Sequence, residues 1–272
     1  MIGIDLDNLE NNDHFKFVQF HPSFDYTDFI EGLRPDEKHN GNNIGFKRQD
    51  GIFKEFCKKA KEKENEKKED GTVKEKFVFV IDEINRGDIS KIFGELFYAI
   101  DPGYRGVKGK VNTQYQNLVD DQDPFKSGFY VPENVYIIGT MNDIDRSVES
   151  MDFAIRRRFI WYAIEPEATQ NAILEKTLNA DEAKTLMDRI NAKIKGDGNN
   201  KGIDGLGEAF QLGASYFQAK TENTKVDLEQ VWEYRVKPLL KEYLRGLPNE
   251  DNAWKELNKC WPLKQNDEDG EN

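Results

Sequence analysis

The sequence predicts an α/β fold, in which helices flank a parallel sheet, followed by a helical region. The first observation is that three short apolar segments alternate with two helical patterns in the first 166 residues. The apolar segments lie at 77–81, 135–141 and 159–164, and the helical patterns at 89–100 and 147–158. The second observation is that amphipathic helical segments follow one another after Pro166, without strands between them.

The elements of the first region follow from local patterns. FKFVQF at 15–20 combines aromatic and β-branched residues and predicts a strand. Asp50 is expected to cap a helix that begins near Ile52. FVFVI at 77–81 is continuously apolar, which is typical of a parallel strand covered on both faces. A polar loop rich in Gly, Asp and Asn is predicted at 101–133.

The predicted domain boundary lies near residue 166. Residues 1–166 form the predicted α/β unit and residues 167–262 the helical unit. Residues 263–272 end in QNDEDGEN, a polar and charged tail that is predicted to be disordered. A loop rich in Gly and Asn interrupts the helical unit at 195–207.

The composition limits the classes of function. The chain has 272 residues, a net charge of −12, 37% apolar residues and 33% charged residues. An acidic protein is a poor generic DNA binder, because affinity for the phosphate backbone requires clustered Lys and Arg. Cys57 and Cys260 have no metal-type spacing, which favours the reducing cytoplasm. The N-terminus does not read as a signal peptide, and no apolar run predicts a membrane span.

Two adjacent acids, Asp82 and Glu83, follow the apolar strand at 77–81. Ligands of open α/β sheets bind at the carboxyl ends of the strands, where this pair is expected to lie. In a nucleoside triphosphatase, the first acid holds Mg²⁺ through water and the second accepts a proton from the attacking water. The alternative is that Asp82 only caps the following turn. The motif by itself leaves both interpretations open.

Two further groups are expected near these acids. Asn142, in GTMND, follows the next strand and would orient the attacking water, although Asn is also common in turns. Arg156, Arg157 and Arg158 end the helical pattern at 147–158. They either interact favourably with the helix dipole or neutralise transition-state charge in the next subunit of a ring.

Four regions of the chain resemble, in order, the AAA+ domain of McrB-type proteins. They are FVQFHPSFDYTDFIEGLRP, VFVIDEINRGDISKIFGELF, VPENVYIIGTMNDIDRSVESMDFAIRRRF, and LGASYF with VWEYRVKPLLKEYL. The resemblance covers roughly residues 15–246, and the long middle motif is specific. McrB-type proteins are the NTP-driven subunits of methylation-dependent restriction systems. The resemblance therefore implies a P-loop NTPase-like core followed by a helical lid.

The resemblance also implies roles for residues of the nucleotide site. Asp82 and Glu83 match the Walker B pair, which binds Mg²⁺ through water. Asn142 matches the sensor-1 position. Asp145 and Arg146 belong to the same signature and are expected to contribute to nucleotide binding. The expected cofactors are Mg²⁺ and either GTP or ATP, between which the sequence does not discriminate.

Further implications concern the assembly. Arg157 and Arg158 match trans-acting arginines of the ring interface, and Arg86 matches another interface arginine. The resemblance implies like subunits in a ring, taken as a hexamer, and a nuclease partner of the McrC type. DNA is expected to bind through another domain.

The sequence departs from the family in two places. The 272 residues contain no G-x-x-x-x-G-K-[ST] phosphate-binding loop. The nearest segment, YRGVKGKV at 104–111, lacks the first glycine and the hydroxyl residue. In the family this loop precedes the segment matching FVQFHPSF, so we expect a truncated domain with an unpaired strand edge, and hence poor stability or a rearranged sheet. Ala214 stands where many relatives have His.

Two functional hypotheses follow. The first is an Mg²⁺-dependent triphosphatase that drives DNA translocation for a nuclease, based on Asp82, Glu83, Asn142 and the arginines. The second is a non-catalytic module that joins a ring without binding nucleotide tightly, based on the missing phosphate-binding lysine. Direct DNA recognition is a weaker third hypothesis, because the chain is acidic.

Overall fold

The computed structural model describes residues 9, 12–36, 45–69, 71, 74–142, 144, 153–197 and 201–261. The chain divides into two compact units, Met1–Trp161 and Tyr162–Asn272, and each has its own hydrophobic core. The first unit is α/β and the second is helical, which confirms the predicted fold class. The tail at 263–272 lies outside the described residues.

The first unit mixes strands with short helices. Its strands are β1 (Phe15–Gln19), β2 (Glu31–Pro35), β3 (Phe46–Asp50), β4 (Phe77–Asp82) and β5 (Val135–Gly139). Its α-helices are α1 (Tyr26–Phe29), α2 (Ile52–Lys63), α3 (Ile89–Phe93) and α4 (Phe153–Arg156). Its 3₁₀-helices are Ile84–Arg86, Gly94–Phe97, Pro102–Tyr104, Gly106–Gly109 and Gln116–Leu118.

A parallel three-stranded sheet with the order β1-β4-β5 organises this unit. The mostly buried apolar side chains of β4 suit its place between the other two strands. Gln19 pairs with Asp82 at the end of the β1–β4 ladder, and Ile81 pairs with Gly139 at the end of the β4–β5 ladder. The carboxyl ends of the three strands therefore meet at one edge of the sheet.

Aromatic side chains cover one face of this sheet. The ring of Phe79 lies edge-on to Phe29, Phe53 and Phe56, with centroid distances of 5.7, 5.0 and 5.3 Å. The rings of Phe29 and Phe53 stack at 4.7 Å. Such pairs contribute about 0.5–1.5 kcal/mol each beyond burial. They hold α1 and α2 against β4 and so fix the strand that carries the two acids.

The opposite face of the sheet is partly open among the described residues. Phe17, Val80 and Ile138 are in register and share this face, on which Tyr136 also lies. Phe17 is 54% exposed, Ile138 46% and Tyr136 44%. A parallel sheet normally buries both faces. The described residues therefore leave apolar side chains of these strands exposed on this face.

An antiparallel hairpin, β2–β3, was not predicted from the sequence. Asp50, the predicted helix cap, lies at its end and binds Arg48 and Lys58 instead. Helix α2 begins after Gly51 and has no side-chain cap bond, so that prediction was wrong. The physical reason is that three cations, Arg48, Lys54 and Lys58, surround the Asp50 carboxylate, and ionic hydrogen bonds are stronger than neutral ones.

Two predicted elements differ in the structure. The helix predicted at 89–100 ends after Phe93, because Gly94 has a φ of +51° and a 3₁₀-helix follows. The strand predicted at 159–164 is not formed. Ile160 is 98% exposed and Tyr162 85% exposed, and neither belongs to a ladder among the described residues. A strand requires a partner for its backbone groups, and an apolar sequence cannot supply one.

The second unit is a helical bundle, as predicted. Its α-helices are α5 (Pro166–Leu174), α6 (Ala180–Lys195), α7 (Leu228–Val231), α8 (Lys237–Leu244) and α9 (Glu250–Asn258). A π-helical turn, Trp232–Val236, joins α7 to α8. The indole of Trp232 stacks on Trp254 and Trp261 at 6.1 and 4.9 Å. Across the described residues of both units, no helix is long and apolar enough to cross a membrane.

Candidate active site at the carboxyl end of the sheet

Asp82 lies at the end of β4 between polar side chains of both neighbouring strands. Gln19 of β1 donates its amide Nε2–H to Asp82 Oδ2 at 3.2 Å. Thr140, directly after β5, donates its hydroxyl group to Asp82 Oδ1 at 2.5 Å. Each carboxylate oxygen thus has one donor from a neighbouring strand end. The carboxylate remains partly exposed, so it can still accept bonds from solvent or a hydrated ion.

Glu83 adopts a left-handed backbone conformation with a φ of +52°. This conformation is uncommon for a residue with a side chain and is concentrated at functional sites. Its backbone N–H donates to Thr140 Oγ1 at 3.4 Å, and its Oε2 accepts from Arg86 Nε at 3.1 Å. The sharp turn at Glu83 separates the two carboxylates, so that Asp82 binds residues of the neighbouring strand ends and Glu83 binds Arg86.

The capping alternative for Asp82 finds no support in this geometry. The 3₁₀-helix Ile84–Arg86 follows Glu83 and has no side-chain cap hydrogen bond. The Asp82 carboxylate accepts hydrogen bonds from Gln19 on β1 and from Thr140, directly after β5. Asp82 is therefore held across the sheet edge.

Asn142 lies in the same edge region, beside the turn that follows β4. Asn85 donates its side-chain Nδ2–H to the backbone carbonyl of Asn142 at 3.2 Å. The Asn142 side chain is exposed. Asn85 Oδ1 is buried and lacks a hydrogen-bond partner among the described atoms. The turn after β4 and the segment after β5 are thus joined by a side-chain bond, which holds Asn142 near the acids.

The predicted arginines lie in different environments. Arg86 follows Glu83 closely and forms an ion pair with it. Arg157 lies just after α4 and is exposed. The Arg158 guanidinium lies over the Phe97 ring at 4.2 Å and donates to the Ala154 carbonyl. Arg158 therefore packs against its own unit in this structure.

The structure brings together Asp82, Glu83, Arg86 and Asn142 from the sequence prediction. Asp145 and Arg146 lie outside the described residues. Gln19, Thr140 and Asn85 were not predicted. Their signal was present in the sequence, because polar residues at the ends of neighbouring parallel strands meet at the same edge.

The donor set suits a hydrated magnesium ion. Asp82 and Glu83 offer carboxylate oxygens, which are the ligands that Mg²⁺ prefers. Among the described residues, no cluster of three or more His, Cys, Asp and Glu side chains could hold a metal. Mg²⁺ usually keeps several waters and takes one or two carboxylates together with substrate phosphates. The pair fits that mode of binding.

Comparisons with known proteins agree with this architecture. Residues 6–159 match the AAA domain of the dynein-related subfamily. Residues 182–251 match the McrB alpha-helical lid domain. An AAA core followed by this lid defines the class, and the chain belongs to the McrB-type AAA+ family.

Two curated relatives are restriction enzymes. The chain is 38% identical over 248 residues to the type IV methyl-directed restriction enzyme EcoKMcrB subunit of Escherichia coli strain K12, covering 87% of this chain and 48% of that protein. It is 27% identical over 136 residues to the type II restriction enzyme BsuMI component YdiS of Bacillus subtilis strain 168, covering 44% of this chain and 38% of that protein. The chain spans about half or less of the length of these relatives.

Proposed function

We propose that this chain is the motor portion of a McrB-type nucleoside triphosphatase in a DNA restriction system. The observation that carries the proposal is the acidic pair at the sheet edge, where Asp82 is held between two strands and Glu83 occupies a strained turn. Strained backbone at a polar edge is typical of a catalytic site. Membership of the McrB-type family supports the same reaction class.

Each residue has a proposed part in hydrolysis. Asp82, with Glu83, would hold Mg²⁺ through water, and the ion would neutralise phosphate charge. Glu83 accepts a proton from the attacking water, while Arg86 binds one of its two carboxylate oxygens. Asn142 orients that water. Asp145 and Arg146 are proposed to contribute to nucleotide binding.

The arginines and the partners belong to the assembled form. We propose a ring of like subunits, with six as the expected number, in which Arg86, Arg157 and Arg158 serve the neighbouring site. Arg158 must leave Phe97 to reach across such an interface. A nuclease of the McrC type would be the partner, another domain would bind DNA, and the assembly would work in the cytoplasm. The nucleotide is GTP or ATP.

The proposal requires a phosphate-binding loop, and the 272 residues contain no G-x-x-x-x-G-K-[ST] motif. YRGVKGKV does not supply one, because Pro102–Tyr104 and Gly106–Gly109 form consecutive 3₁₀ turns. We therefore propose that polypeptide outside these residues provides it. The sheet has room for a further strand beside β5, which pairs only with β4 among the described residues.

The orientation of the backbone defines this open edge. The N–H and C=O groups of Thr140 both bond toward β4, to Ile81 and Ile84. Because successive residues of a strand alternate in direction, those of Gly139 and Ile137 point away from β4. A parallel strand could pair there, and its carboxyl end would lie at the same edge of the sheet as Asp82, with β5 between them. This is the position that a strand leading into a phosphate-binding loop requires.

The test is nucleotide hydrolysis by the protein that the complete gene encodes. We expect Mg²⁺-dependent hydrolysis of GTP or ATP, and Glu83→Gln should lower kcat at least about 100-fold, because it removes the proton acceptor. Glu55→Gln is the control, since Glu55 is an exposed acid on α2. Hydrolysis by Glu83→Gln at the unaltered rate would show that Glu83 is not the base.

A second candidate function is a ring subunit that does not bind nucleotide. The lack of a phosphate-binding motif in the 272 residues favours it. It predicts no nucleotide binding at micromolar concentration by the 272-residue chain, together with assembly onto an intact subunit. Calorimetry with GTP and ATP and sedimentation with the intact subunit measure the two properties. Micromolar nucleotide affinity would contradict this function.

A further inference from the structure

We infer that Thr140 is a positioning residue for both acids of the candidate site. Its single hydroxyl group donates to Asp82 Oδ1 at 2.5 Å and accepts the backbone N–H of Glu83 at 3.4 Å. A hydroxyl has one proton to donate and two lone pairs to accept, so both bonds form at once. One side chain thus fixes the orientation of the first acid and the backbone of the second.

The strain at Glu83 makes this contact important. A non-glycine residue at a positive φ is strained and requires support from its surroundings. The neighbouring Ile84 N–H is held independently, because it donates to the backbone carbonyl of Thr140 at 2.9 Å. The side chain of Thr140 therefore controls the Glu83 amide, while its main chain controls the Ile84 amide. Removing the hydroxyl group should therefore affect the Glu83 amide and spare the Ile84 amide, whereas a general loss of structure would affect both.

Gln19 cannot replace Thr140 in this role. Its amide reaches Asp82 Oδ2 at 3.2 Å, whereas the contact to the Glu83 backbone comes from Thr140. Loss of the Thr140 hydroxyl would leave Asp82 with one cross-strand donor and Glu83 without its acceptor. The expected consequence is an acidic pair that binds a divalent cation in a less defined geometry. This consequence rests on the proposed function, whereas the hydrogen bonds do not.

Amide hydrogen exchange in the 272-residue chain tests the positioning directly. Thr140→Val keeps the shape of the side chain but removes the hydroxyl, and Thr140→Ser keeps the hydroxyl. We expect Thr140→Val to speed exchange at Glu83 about tenfold, as for the loss of one hydrogen bond, while Ile84 stays unchanged. Thr140→Ser should retain slow exchange at both, and Thr185→Val on an exposed helix face is the control. Equal acceleration at both amides, or none, would overturn the inference.

A second experiment tests the effect of Thr140 on cation binding and hydrolysis. It uses the protein that the complete gene encodes, with Mn²⁺ as the probe. Thr140→Val should weaken Mn²⁺ binding in the presence of nucleotide about tenfold, measured by electron paramagnetic resonance, and lower kcat with little change in the nucleotide KM. Thr140→Ser should restore both. If Asp82→Asn hydrolyses nucleotide normally, the proposed function fails. If Asp82→Asn is inactive while Thr140→Val binds Mn²⁺ normally, the positioning role fails.

Discussion

Lys54 is a fully buried cation on α2, and its charge is balanced by an equally buried acid, Glu31. Its Nζ lies 2.6 Å from Glu31 Oε2, and both side chains have no solvent exposure. Thr113, the backbone N–H of Tyr115 and the buried guanidinium of Arg48, 3.1 Å from Glu31 Oε2, also contact this pair. A buried ion pair contributes little net stability, but loss of one partner leaves an uncompensated charge. The pair therefore fixes the segment around Thr113 against α2 and β2.

Lys54→Met should lower the free energy of unfolding by about 1–3 kcal/mol, because Glu31 then stays charged in the core with Arg48 as its remaining cation. Met retains most of the aliphatic stem, so the change isolates the charge. Urea unfolding followed by circular dichroism measures the loss. Lys59→Met is the matched control on the same helix, since the Lys59–Asp13 pair is exposed and should contribute almost nothing. Equal stability of both variants would contradict this account.

A neighbouring group of charges joins α2, β3 and the segment between β4 and β5. Asp123, from the segment between β4 and β5, lies 2.5 Å from Lys58 on α2 and 3.5 Å from Arg48 on β3. Burial by itself would raise the pKa of Asp123, but the bonds from Lys58 and the Phe125 backbone and the nearby cations outweigh it and lower the pKa. Burial by itself would likewise raise the pKa of Glu31, but the hydrogen bonds with Lys54 and Thr113 outweigh it and lower the pKa.

These lowered pKa values predict acid instability. A carboxyl whose pKa is lower in the folded state binds fewer protons there, so its stabilisation is present at neutral pH and lost as the pH falls. The loss should begin near the ordinary values of 4.5 for Glu31 and 3.8 for Asp123 and continue below them. Unfolding free energy measured from pH 7 to pH 3 tests this expectation. Asp123→Asn should have a lower free energy of unfolding than the unaltered protein at pH 7 and should lose less of it on acidification. An unchanged dependence of the unfolding free energy on pH would contradict this expectation.

The sequence could predict elements that depend on local pattern but not those that depend on distant partners. β1 and β4 have continuous or aromatic apolar residues, and both were found where predicted. The interruption of the helix at Gly94 was missed, because it depends on a distant partner. The Tyr26 ring packs so close to Gly94 that a Cβ there would lie 2.9 Å from it. The hairpin β2–β3 was missed because the ion pairs that anchor it join residues far apart in sequence.

The candidate site shows the same division. Asp82, Glu83 and Asn142 lie within recognisable motifs, so their positions at the sheet edge could be anticipated. Gln19 and Thr140 stand at the ends of predicted strands, which is a partial signal, but the strand register decides which polar residues meet. The predicted unpaired strand edge is present at β5 among the described residues, whereas the predicted rearrangement of the sheet is not.

At the scale of the whole molecule, the open face of the sheet decides how the chain behaves in solution. Ile138 and Ile137 are adjacent on β5 but face opposite ways. Ile138 lies on the open face, and Ile137 packs against the main core. Exposed apolar strands promote association between molecules. The 272-residue chain should therefore self-associate through this face and edge, and a charge there should reduce the association.

Ile138→Lys in the 272-residue chain should lower self-association, measured by sedimentation, with little loss of melting temperature. Ile137→Lys is the matched control and should lower the free energy of unfolding by about 1–3 kcal/mol, because it places a charge at a half-buried position that packs against the core. In the protein that the complete gene encodes, the expectation for Ile138→Lys reverses. We expect additional polypeptide to cover this face, so Ile138→Lys should destabilise the complete protein much as Ile137→Lys does. A neutral effect of Ile138→Lys there would mean that the face stays open in the complete protein and would contradict this expectation.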